Sequence, residues 1–480
     1  MGGNVTVKAN IDTMSIIGGA IGNGSGPKYL RLAHALQSAI QSGAIAQGAK
    51  LPPHRVFADT LAVTPGTVSR AYTELERLGL VVARVGDGTY VHSRQQERVR
   101  DAGFRNFVDT PDPCHDMSRN MHIPGQEAVL LARDLAQLSQ SPRALQELML
   151  YTPDTGLPHH RQAGARWLAH GEFVPSADQV LCVNGSQHGL LCALMALVRP
   201  GDALATEQLT YPGLAGLARF LGIKLIDVAM DDEGLVPESL EDVCRANRVT
   251  AVYCTPTIQN PTTAVMSPAR RRVIASICRE HNLMMIEDET HGVLMEDRPL
   301  PLSYFAPERG ILISSLSKAV AAGLRAGFIH VPAPLVSRQA AAIRASSWMA
   351  APLGLEVASR WIEDGTAQAL LRQQIAEIEC RKASVSDFLQ GLNYRTHDRS
   401  PHFWIEAPAP WRSAEIEHQL RQRHHLVSVA EAFSVGRGAV PHFVRASVSN
   451  ASGGKAKLLE GFECLGEVLR GGVQSSQTPL

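Results

Sequence analysis

The feature that most constrains the fold is a series of short apolar runs separated by helical patterns. From about Ser118 onward, runs of four to six apolar residues alternate with segments whose apolar residues recur at helical spacing. This alternation is typical of an α/β domain with a largely parallel sheet. Functional groups in such a domain are expected just past the carboxyl ends of the strands. The runs predicted to be buried strands are 179–183, 203–206, 251–254, 283–286 and 311–314.

Polar residues follow three of these runs. Asn184-Gly185-Ser186-Gln187 leads into a predicted helix over residues 189–198, and a glycine-containing turn at a helix N-terminus offers backbone amides and a hydroxyl to an anion. Glu287-Asp288-Glu289 supplies carboxylates that suit a metal ion or a buried cationic nitrogen. Ser315-Leu316-Ser317-Lys318, with Arg325 seven residues beyond, suggests an amine nucleophile beside an anion site.

Together these groups match the requirements of pyridoxal phosphate. The cofactor needs a lysine for its Schiff base, a carboxylate that keeps its pyridine nitrogen protonated, and amides, hydroxyls and an arginine around its phosphate. Lys318 and Asp288 are predicted to fill the first two roles. The predicted phosphate cradle consists of Gly185, Ser186, Ser315, Ser317 and Arg325.

A second pattern, over residues 27–92, predicts a winged helix-turn-helix. A first helix ends at Gly43, a short helix follows, and the next turn supplies Thr64 as a hydroxyl N-cap and Pro65 at the first helical position. Two apolar runs around a glycine-containing turn then predict a β-hairpin. The buried stripe predicted for the third helix is Val68, Tyr72, Leu75 and Leu78.

Charge is distributed unevenly along the chain. The whole sequence carries 46 basic and 46 acidic residues, but residues 27–100 carry ten basic and five acidic ones. A small basic module is therefore joined to a larger acidic one, which is expected if the first contacts a polyanion such as DNA. Free amides at the start of the third helix and nearby cations favour phosphate contact. The residues predicted to face DNA are Arg55, Thr64, Pro65, Thr67, Arg70 and Arg84.

The remaining segments complete the predicted organisation. Residues 1–26 are rich in glycine, serine and asparagine and are expected to form a flexible tail. Residues 93–118 are expected to be a linker, followed by the second domain over residues 119–475. The sequence shows no apolar stretch approaching ~18 residues and no secretory signal pattern, so we expect a cytoplasmic protein that does not cross a membrane.

Cysteine and histidine spacing does not predict a metal site. The eight cysteines are scattered singly, without a Cys-x-x-Cys pair. The pairs His159-His160 and His424-His425 are predicted to be solvated, because adjacent helical residues point about 100° apart. Phe403 and Trp404 lie in an alternating strand and are predicted to be core residues.

Residues 28–91, which include SGAIAQGAKLPPHRVFADTLAVTPGTVSRAYTELERLGLVVARVGDGTYV, resemble the DNA-binding domain of the GntR family of bacterial transcription regulators. The resemblance implies that Arg55 contacts DNA. Members of that family usually place an arginine after the residue matching Thr64, where this sequence has Pro65.

Residues 119–475 resemble a fold-type-I aminotransferase. The resemblance implies that Tyr211 in LTYPG stacks on the cofactor and that Asn260 in QNPTTAV bonds its phenolic oxygen. Gln187, in the turn before the predicted helix, is also predicted to bind the cofactor. It also implies that Tyr151 reaches the phosphate of a neighbouring subunit and that Arg445 in HFVRASVS clamps a substrate carboxylate.

Two residues depart from the aminotransferase pattern. Where the family usually has a tyrosine shortly after the aspartate, this sequence has His291, whose pKa near 6.5 would make tuning of the cofactor pH-sensitive. Thr263 replaces the usual glycine of the NPTG motif.

The combination of both modules resembles the MocR subfamily of GntR-type regulators. This implies a head-to-tail homodimer in which pyridoxal phosphate, with or without an amino-compound effector, alters binding to double-stranded operator DNA. Two alternatives remain: an active aminotransferase with a vestigial DNA-binding domain, and a repressor whose aminotransferase-like part serves only for dimerisation.

Overall fold

The computed structural model describes residues 26–46, 48–78, 80–84, 88–91, 114–436, 438–450 and 454–475. The chain divides into two compact units, residues 1–102 and 103–480. Nearly all of the expected tail, most of the expected linker and the side chain of Arg84 lie outside the described residues. Among the described helices, none is long and apolar enough to cross a membrane.

The described residues of the N-terminal unit form three helices and a β-hairpin, as the sequence predicts. The hairpin strands are antiparallel, with Val81 opposite Val91. Leu36, Phe57 and Val68, one from each helix, are fully buried and belong to one core. The elements are α1 (Lys28–Gln41), α2 (His54–Thr60), α3 (Pro65–Arg77), β1 (Val81–Arg84) and β2 (Gly88–Val91).

The start of α3 is capped as predicted, but its buried stripe differs at one position. The Thr64 hydroxyl accepts a hydrogen bond from the Thr67 amide at 3.3 Å, with proline at the first helical position. Leu78 is 41% exposed, so its predicted burial is wrong. Because the helix ends at Arg77, Leu78 does not continue the buried face of α3, to which Ala71 belongs.

The C-terminal unit begins with alternating strands and helices. Proline stands at an early helical position in several of them, where its missing N–H is not needed. The elements are β3 (His115–Asp116), α4 (Glu127–Ser139), α5 (Pro142–Leu148), α6 (Pro158–Leu168), β4 (Val180–Val183), α7 (Ser186–Leu197), β5 (Ala203–Glu207), α8 (Pro212–Leu221), β6 (Lys224–Val228), β7 (Met230–Asp231), β8 (Gly234–Leu235), α9 (Pro237–Ala246), β9 (Val249–Cys254), α10 (Pro268–Glu280), β10 (Met284–Asp288), α11 (Leu302–Phe305), β11 (Gly310–Ser315), β12 (Gly327–His330) and α12 (Val336–Ser347).

A smaller part completes this unit. Its elements are α13 (Pro352–Glu363), α14 (Thr366–Val385), β13 (Tyr394–Arg395), β14 (His402–Glu406), α15 (Ser413–Gln422), β15 (His425–Leu426), β16 (Ser428–Val429), β17 (Phe443–Ser447) and α16 (Gly454–Ser475). Its four-stranded sheet has the order β13-β14-β17-β16. Phe403 and Trp404 are each 2% exposed, which confirms their predicted burial.

The central sheet has seven strands in the order β4-β12-β11-β10-β9-β5-β6. All five predicted runs are strands of this sheet. The sheet is mixed, because β12 runs antiparallel to both of its neighbours. Leu181 and Cys182 belong to different apolar cores, as expected when successive side chains point to opposite faces. Helices therefore cover both faces, and polar groups collect at the strand ends.

Residues 114–118 belong to the C-terminal unit rather than to a linker. His115 pairs with His425 in a parallel β3–β15 bridge, and Met117 is fully buried. The expected linker boundary at residue 118 is therefore wrong. A two-residue strand is too short to leave an alternating pattern in the sequence.

Candidate functional site

The structure brings the predicted strand-end groups together. Arg325 donates from Nη2 to the carbonyl of Asn184 at 3.0 Å and from Nη1 to the Ser317 hydroxyl at 3.5 Å. The Thr290 hydroxyl donates to the Ser186 hydroxyl at 2.7 Å. The turn after β4, the end of β10 and the turn after β11 therefore form one site.

Gly185 sits where no side chain fits. Its φ is +79°, and a Cβ there would lie 2.5 Å from Nη2 of Arg325. Helix α7 begins at Ser186, three residues earlier than predicted, so Gly185 is its N-cap. Helix amides, hydroxyls and a guanidinium thus converge at one place, an arrangement suited to an anion. Ser315 lies at its edge, where its Oγ accepts from the amide of Ser317 at 3.4 Å.

Asp288 is the carboxylate of the central cluster that belongs to the site. The Tyr253 hydroxyl donates to its Oδ2 at 3.0 Å, and the Thr290 amide donates to its Oδ1 at 3.0 Å. Burial raises the pKa of Asp288, and these hydrogen bonds oppose that rise. Such a carboxylate suits a buried cationic nitrogen, one of the two partners the sequence left open. Tyr253 was missed because β9 reads only as an apolar run.

Glu287 and Glu289 serve the fold instead. The Arg271 guanidinium lies 3.5 Å from a Glu287 oxygen and 3.6 Å from a Glu289 oxygen, and all three side chains are buried. Burial raises the pKa of Glu287 to about 7. Strand alternation separates their side chains from that of Asp288.

Lys318 faces the backbone of a segment that the sequence did not single out. Its Nζ donates to the carbonyl of Asn120 at 2.5 Å. Burial, with a smaller effect of Arg445, lowers the pKa of Lys318 to about 8. A larger fraction of neutral amine makes a better nucleophile near neutral pH.

The residues expected to touch cofactor and ligand also lie here. The Tyr211 hydroxyl donates to Oε1 of Gln187 at 2.9 Å, and burial raises the pKa of Tyr211 to about 12. Arg445 donates from Nη1 to Oδ1 of Asn260 at 2.6 Å and from Nη2 to the carbonyl of Ser118. Burial lowers the pKa of Arg445 to about 10, so the guanidinium keeps its charge at neutral pH.

His291 is buried beside a second histidine. Nδ2 of Asn120 lies 3.3 Å from Nε2 of His291 and 2.9 Å from Nδ1 of His402. Burial lowers the pKa of His291 to about 3. The expectation that His291 titrates near neutral pH is therefore wrong, because its enclosure disfavours the imidazolium. Asn120 and His402 were missed, since neither belongs to a strand-end pattern.

Thr263 has the left-handed backbone conformation that suits the glycine of the family's NPTG motif. Its φ is +66°, a left-handed conformation that costs a β-branched residue on the order of 1–3 kcal/mol. The loop is nevertheless held firmly, since the Thr263 amide donates to the carbonyl of Gln259 at 2.7 Å. The threonine therefore preserves the loop geometry of the motif.

Tyr151 pairs with a second exposed aromatic residue. Its ring is 5.8 Å from the ring of Trp348, and the two side chains are 82% and 57% exposed. An exposed aromatic pair of this kind is available to another subunit.

One histidine of each predicted pair is buried, although both pairs are predicted to be solvated. His160 and His425 are 1% and 5% exposed, so the prediction is wrong for both. Nε2 of His159 and of His160 lie 2.8 Å and 3.1 Å from one oxygen of Glu356, and these three potential metal-ligand atoms lie within 4.8 Å of one another. The two rings converge because a carboxylate from α13 reaches between them, which spacing along α6 could not show.

In the N-terminal unit, the predicted DNA-facing residues Thr64, Pro65 and Thr67 lie at the start of α3, Arg70 lies further along that helix, and Arg55 belongs to α2. Arg55 and Arg70 are exposed, as are Thr64 and Pro65, while Thr67 is half-buried. Their arrangement suits contact with phosphates around a helix N-terminus.

A buried carboxylate supports the loop that carries Asn260. Oε2 of Glu207 accepts from Nε2 of Gln259 at 3.1 Å and from the amide of Thr255 at 3.3 Å. Gln259 in turn accepts from the amide of Thr262 at 2.8 Å. Burial raises the pKa of Glu207 to about 8.

Glu207→Gln is expected to remove part of the pH dependence of stability. Because the folded pKa of about 8 exceeds the ordinary 4.5, folding takes up a proton between these values. Glu207 therefore lowers the free energy of unfolding by about 1.4 kcal/mol per pH unit from about pH 5 to 8. Thermal unfolding at pH 5.5 and 8.0 measures this, with the exposed Glu406→Gln as control. Parallel losses in wild type and Glu207→Gln would contradict it.

Comparison with known proteins agrees with this geometry. Residues 124–462 match the family described as aminotransferase class I and II. The chain belongs to the aminotransferase class I and II family. Residues 28–91 match the family described as bacterial regulatory proteins, gntR family. The protein thus combines a GntR helix-turn-helix region with an aminotransferase-like domain, the combination expected from its resemblance to MocR regulators.

Relatives named as transcriptional regulators match this chain over most of their length. The HTH-type transcriptional regulator YdeF of Bacillus subtilis is 29% identical over 88% of this chain and 90% of that protein. The vitamin B6 salvage pathway transcriptional repressor PtsJ of Salmonella typhimurium is 25% identical over 85% of this chain and 91% of that protein. Among solved structures, the kynurenine aminotransferase of Pyrococcus horikoshii has a TM-score of 0.69 and 19% identity, covering 81% of this chain and 95% of that one. The last comparison supports the fold alone.

Proposed function

We propose that this protein is a pyridoxal-phosphate-dependent, DNA-binding transcriptional regulator that responds to an amino compound or a B6 vitamer. The observation that carries the proposal is the presence of both domains in relatives that are named regulators and that this chain covers almost entirely. The name of PtsJ links one of them to vitamin B6.

The residues of the site fit the cofactor. When bound, pyridoxal phosphate supplies an aldehyde that condenses with amines and a ring that withdraws electrons. The absence of a side chain at Gly185 lets the Arg325 guanidinium approach the turn where a phosphate would bind, and Asp288 would hold a proton at the ring nitrogen. Lys318 would provide the amine that attaches the cofactor.

The remaining groups orient the cofactor and its ligand. Tyr211 would stack on the ring, and Asn260 would bond the phenolic oxygen. Arg445 would bind the carboxylate of an amino compound through its two terminal nitrogens. Enclosure of Arg445, which is 6% exposed, excludes water and strengthens that contact.

Regulation would act through a homodimer arranged head to tail. The exposed rings of Tyr151 and Trp348 support a contact with a second subunit, in which Tyr151 reaches the partner's phosphate site. Ligand binding would close the site and change the pose of the DNA-binding units. A coupling free energy of ~1–3 kcal/mol changes DNA affinity by up to about 150-fold.

Arg55→Ala is expected to weaken DNA binding and flatten its salt dependence. Each phosphate that a cation neutralises adds about −0.9 to the slope of log affinity against log salt, so the slope should fall in magnitude by about 1. Fluorescence anisotropy of the full chain on double-stranded DNA selected from a random pool measures this.

A second arginine provides the matched control. Arg77 lies at the opposite end of α3 and is paired with Glu74 at 2.6 Å, so Arg77→Ala should leave the slope unchanged. Equal effects of the two substitutions would refute the predicted orientation of α3 on DNA. A wild type without salt-dependent DNA binding would refute the regulator itself.

A further inference from the structure

Residues 116–121, here called the 116–121 segment, hold the two groups that cofactor and ligand are proposed to engage. Lys318 donates to the carbonyl of Asn120 at 2.5 Å, and Arg445 donates to the carbonyl of Ser118. The two acceptors are only two residues apart. A short stretch of backbone is therefore bonded to both ends of the proposed binding site.

The side chain of Asn120 fixes the segment against two histidines. Nε2 of His402 lies 2.9 Å from the carbonyl of Pro261, which can only accept, so Nε2 carries the proton. Burial holds the pKa of His402 well below its usual range, so the ring is neutral and its Nδ1 must accept. The group of Asn120 that faces His402 and His291 is therefore the NH₂ donor.

This orientation leaves a buried acceptor unused. In the described part of the chain, Oδ1 of Asn120 and Nε of Arg445 are buried and have no hydrogen-bond partner. Unpaired buried polar atoms are uncommon in native proteins and mark places where an arrangement is incomplete. We therefore expect the segment to adopt a second conformation in which these two atoms form hydrogen bonds.

Other bonds hold the segment to the smaller part of the C-terminal unit. The amide of Met117 donates to the carbonyl of Leu426 at 2.8 Å, and the amide of Met121 donates to the Ser449 hydroxyl at 2.9 Å. Next to the segment is a cavity of about 380 Å³, lined among others by His122 and Ala319. There is therefore room for the segment to shift once it is released from the site.

We propose that the 116–121 segment reports occupancy of the site, with Asn120 as the positioning residue that links it to Lys318 and to both histidines. The inference rests on the proposed function, because it takes Lys318 and Arg445 as the groups engaged by cofactor and ligand. The segment begins three residues after residue 113, the last residue of the stretch that joins the C-terminal unit to the winged helix in sequence. A shift of the segment is therefore placed to act on that connection.

The chemistry at Lys318 removes one of the two anchors. Neutral Lys318 adds to the aldehyde carbon of pyridoxal phosphate, a carbon–nitrogen double bond forms, and the aldehyde oxygen leaves as water with both amine protons. Nζ then keeps no N–H, or one when protonated, so its hydrogen bond to the Asn120 carbonyl is lost or weakened. A carboxylate that takes both terminal nitrogens of Arg445 removes the anchor at Ser118 in the same way.

The test compares two forms of the same cofactor by hydrogen exchange on the full chain. Pyridoxal phosphate attaches to Lys318, whereas pyridoxamine phosphate has no aldehyde and fills the site without attachment. With pyridoxal phosphate, amides of the 116–121 segment should exchange about fivefold faster than with pyridoxamine phosphate, the effect of losing one net hydrogen bond. Amides of β9 serve as the internal reference and should not differ.

Variants make the result specific. Lys318→Ala should abolish the difference between the two cofactors. Asn120→Leu, which keeps the shape but loses the amide, should make exchange fast with either cofactor, while the exposed Asn247→Leu should behave as wild type. If Asn120→Leu does not fold, Lys318→Ala alone decides.

A failure of this inference can be distinguished from a failure of the proposed function. If borohydride reduction and mass spectrometry show the cofactor attached to Lys318 but the segment exchanges equally with both forms, the inference is overturned and the proposed function stands. A difference that persists in Lys318→Ala overturns it as well. If no attachment occurs in wild type, the proposed function itself is refuted.

Discussion

Lys318→Ala is expected to abolish covalent retention of pyridoxal phosphate. With a pKa of about 8, Lys318 is roughly one quarter neutral at pH 7.5, against about one in a thousand for an ordinary lysine. That neutral amine stands beside Asp288 and the Arg325 cradle, so loss of Nζ removes the only attachment the site provides in the described residues. Visible absorbance and the mass of the borohydride-reduced protein measure the effect.

A second lysine tests whether the low pKa alone explains attachment. Burial also lowers the pKa of Lys382 to about 8, but its Nζ donates to the Thr396 hydroxyl at 2.9 Å and belongs to the smaller part of the unit. Lys382→Met should keep full attachment at Lys318. Lys318→Ala should still bind the cofactor weakly, because the phosphate cradle is intact. A wild type that stays colourless with excess cofactor would favour the dimerisation-only alternative.

The strand-end groups could be predicted because a parallel sheet makes distant positions neighbours. Gly185, Asp288 and Lys318 are separated by many residues, yet each follows a buried run, and the carboxyl ends of parallel strands meet at one edge. The same logic could not decide which carboxylate of the 287–289 cluster faces the site. That required the position of Arg271, which comes from a helix packed on the other side.

The rest of the site depends on contacts without a local signal. Asn120 is placed by the two-residue strand β3, and His402 by the pairing of β14 with β17. Burial of His291 reverses the expectation from its free pKa, since Asn120, His402 and Arg445 near it come from separate parts of the chain. The sequence likewise predicts that His160 is solvated, because it does not show that Glu356 of α13 faces it. Spacing along the chain predicts which face of one helix or strand a side chain lies on. It does not predict which residues of a second helix or strand contact that side chain.

Arg445→Ala is expected to abolish the response to carboxylate ligands while leaving the cofactor bound. Arg445 is buried and charged, and its Nη1 is oriented by Asn260 at 2.6 Å. Truncating one partner of a buried charge pair costs ~2–5 kcal/mol, which is roughly 30-fold to several thousandfold in affinity. Titration of the visible spectrum with alanine and with ethylamine, which lacks the carboxylate, isolates this contribution.

The difference between these two probes separates the role of Arg445 from general damage. Wild type should prefer alanine, Arg445→Ala should not distinguish them, and Arg395→Ala, an exposed arginine of the same sheet, should behave as wild type.

A sensor needs only to exchange one amine for another and report the exchange, so we expect spectral change with a kcat well below the ~10 s⁻¹ typical of enzymes. Steady transamination near that rate, with DNA binding indifferent to the amino acid, would instead establish the working aminotransferase, because Arg445 and Lys318 would then serve turnover rather than regulation.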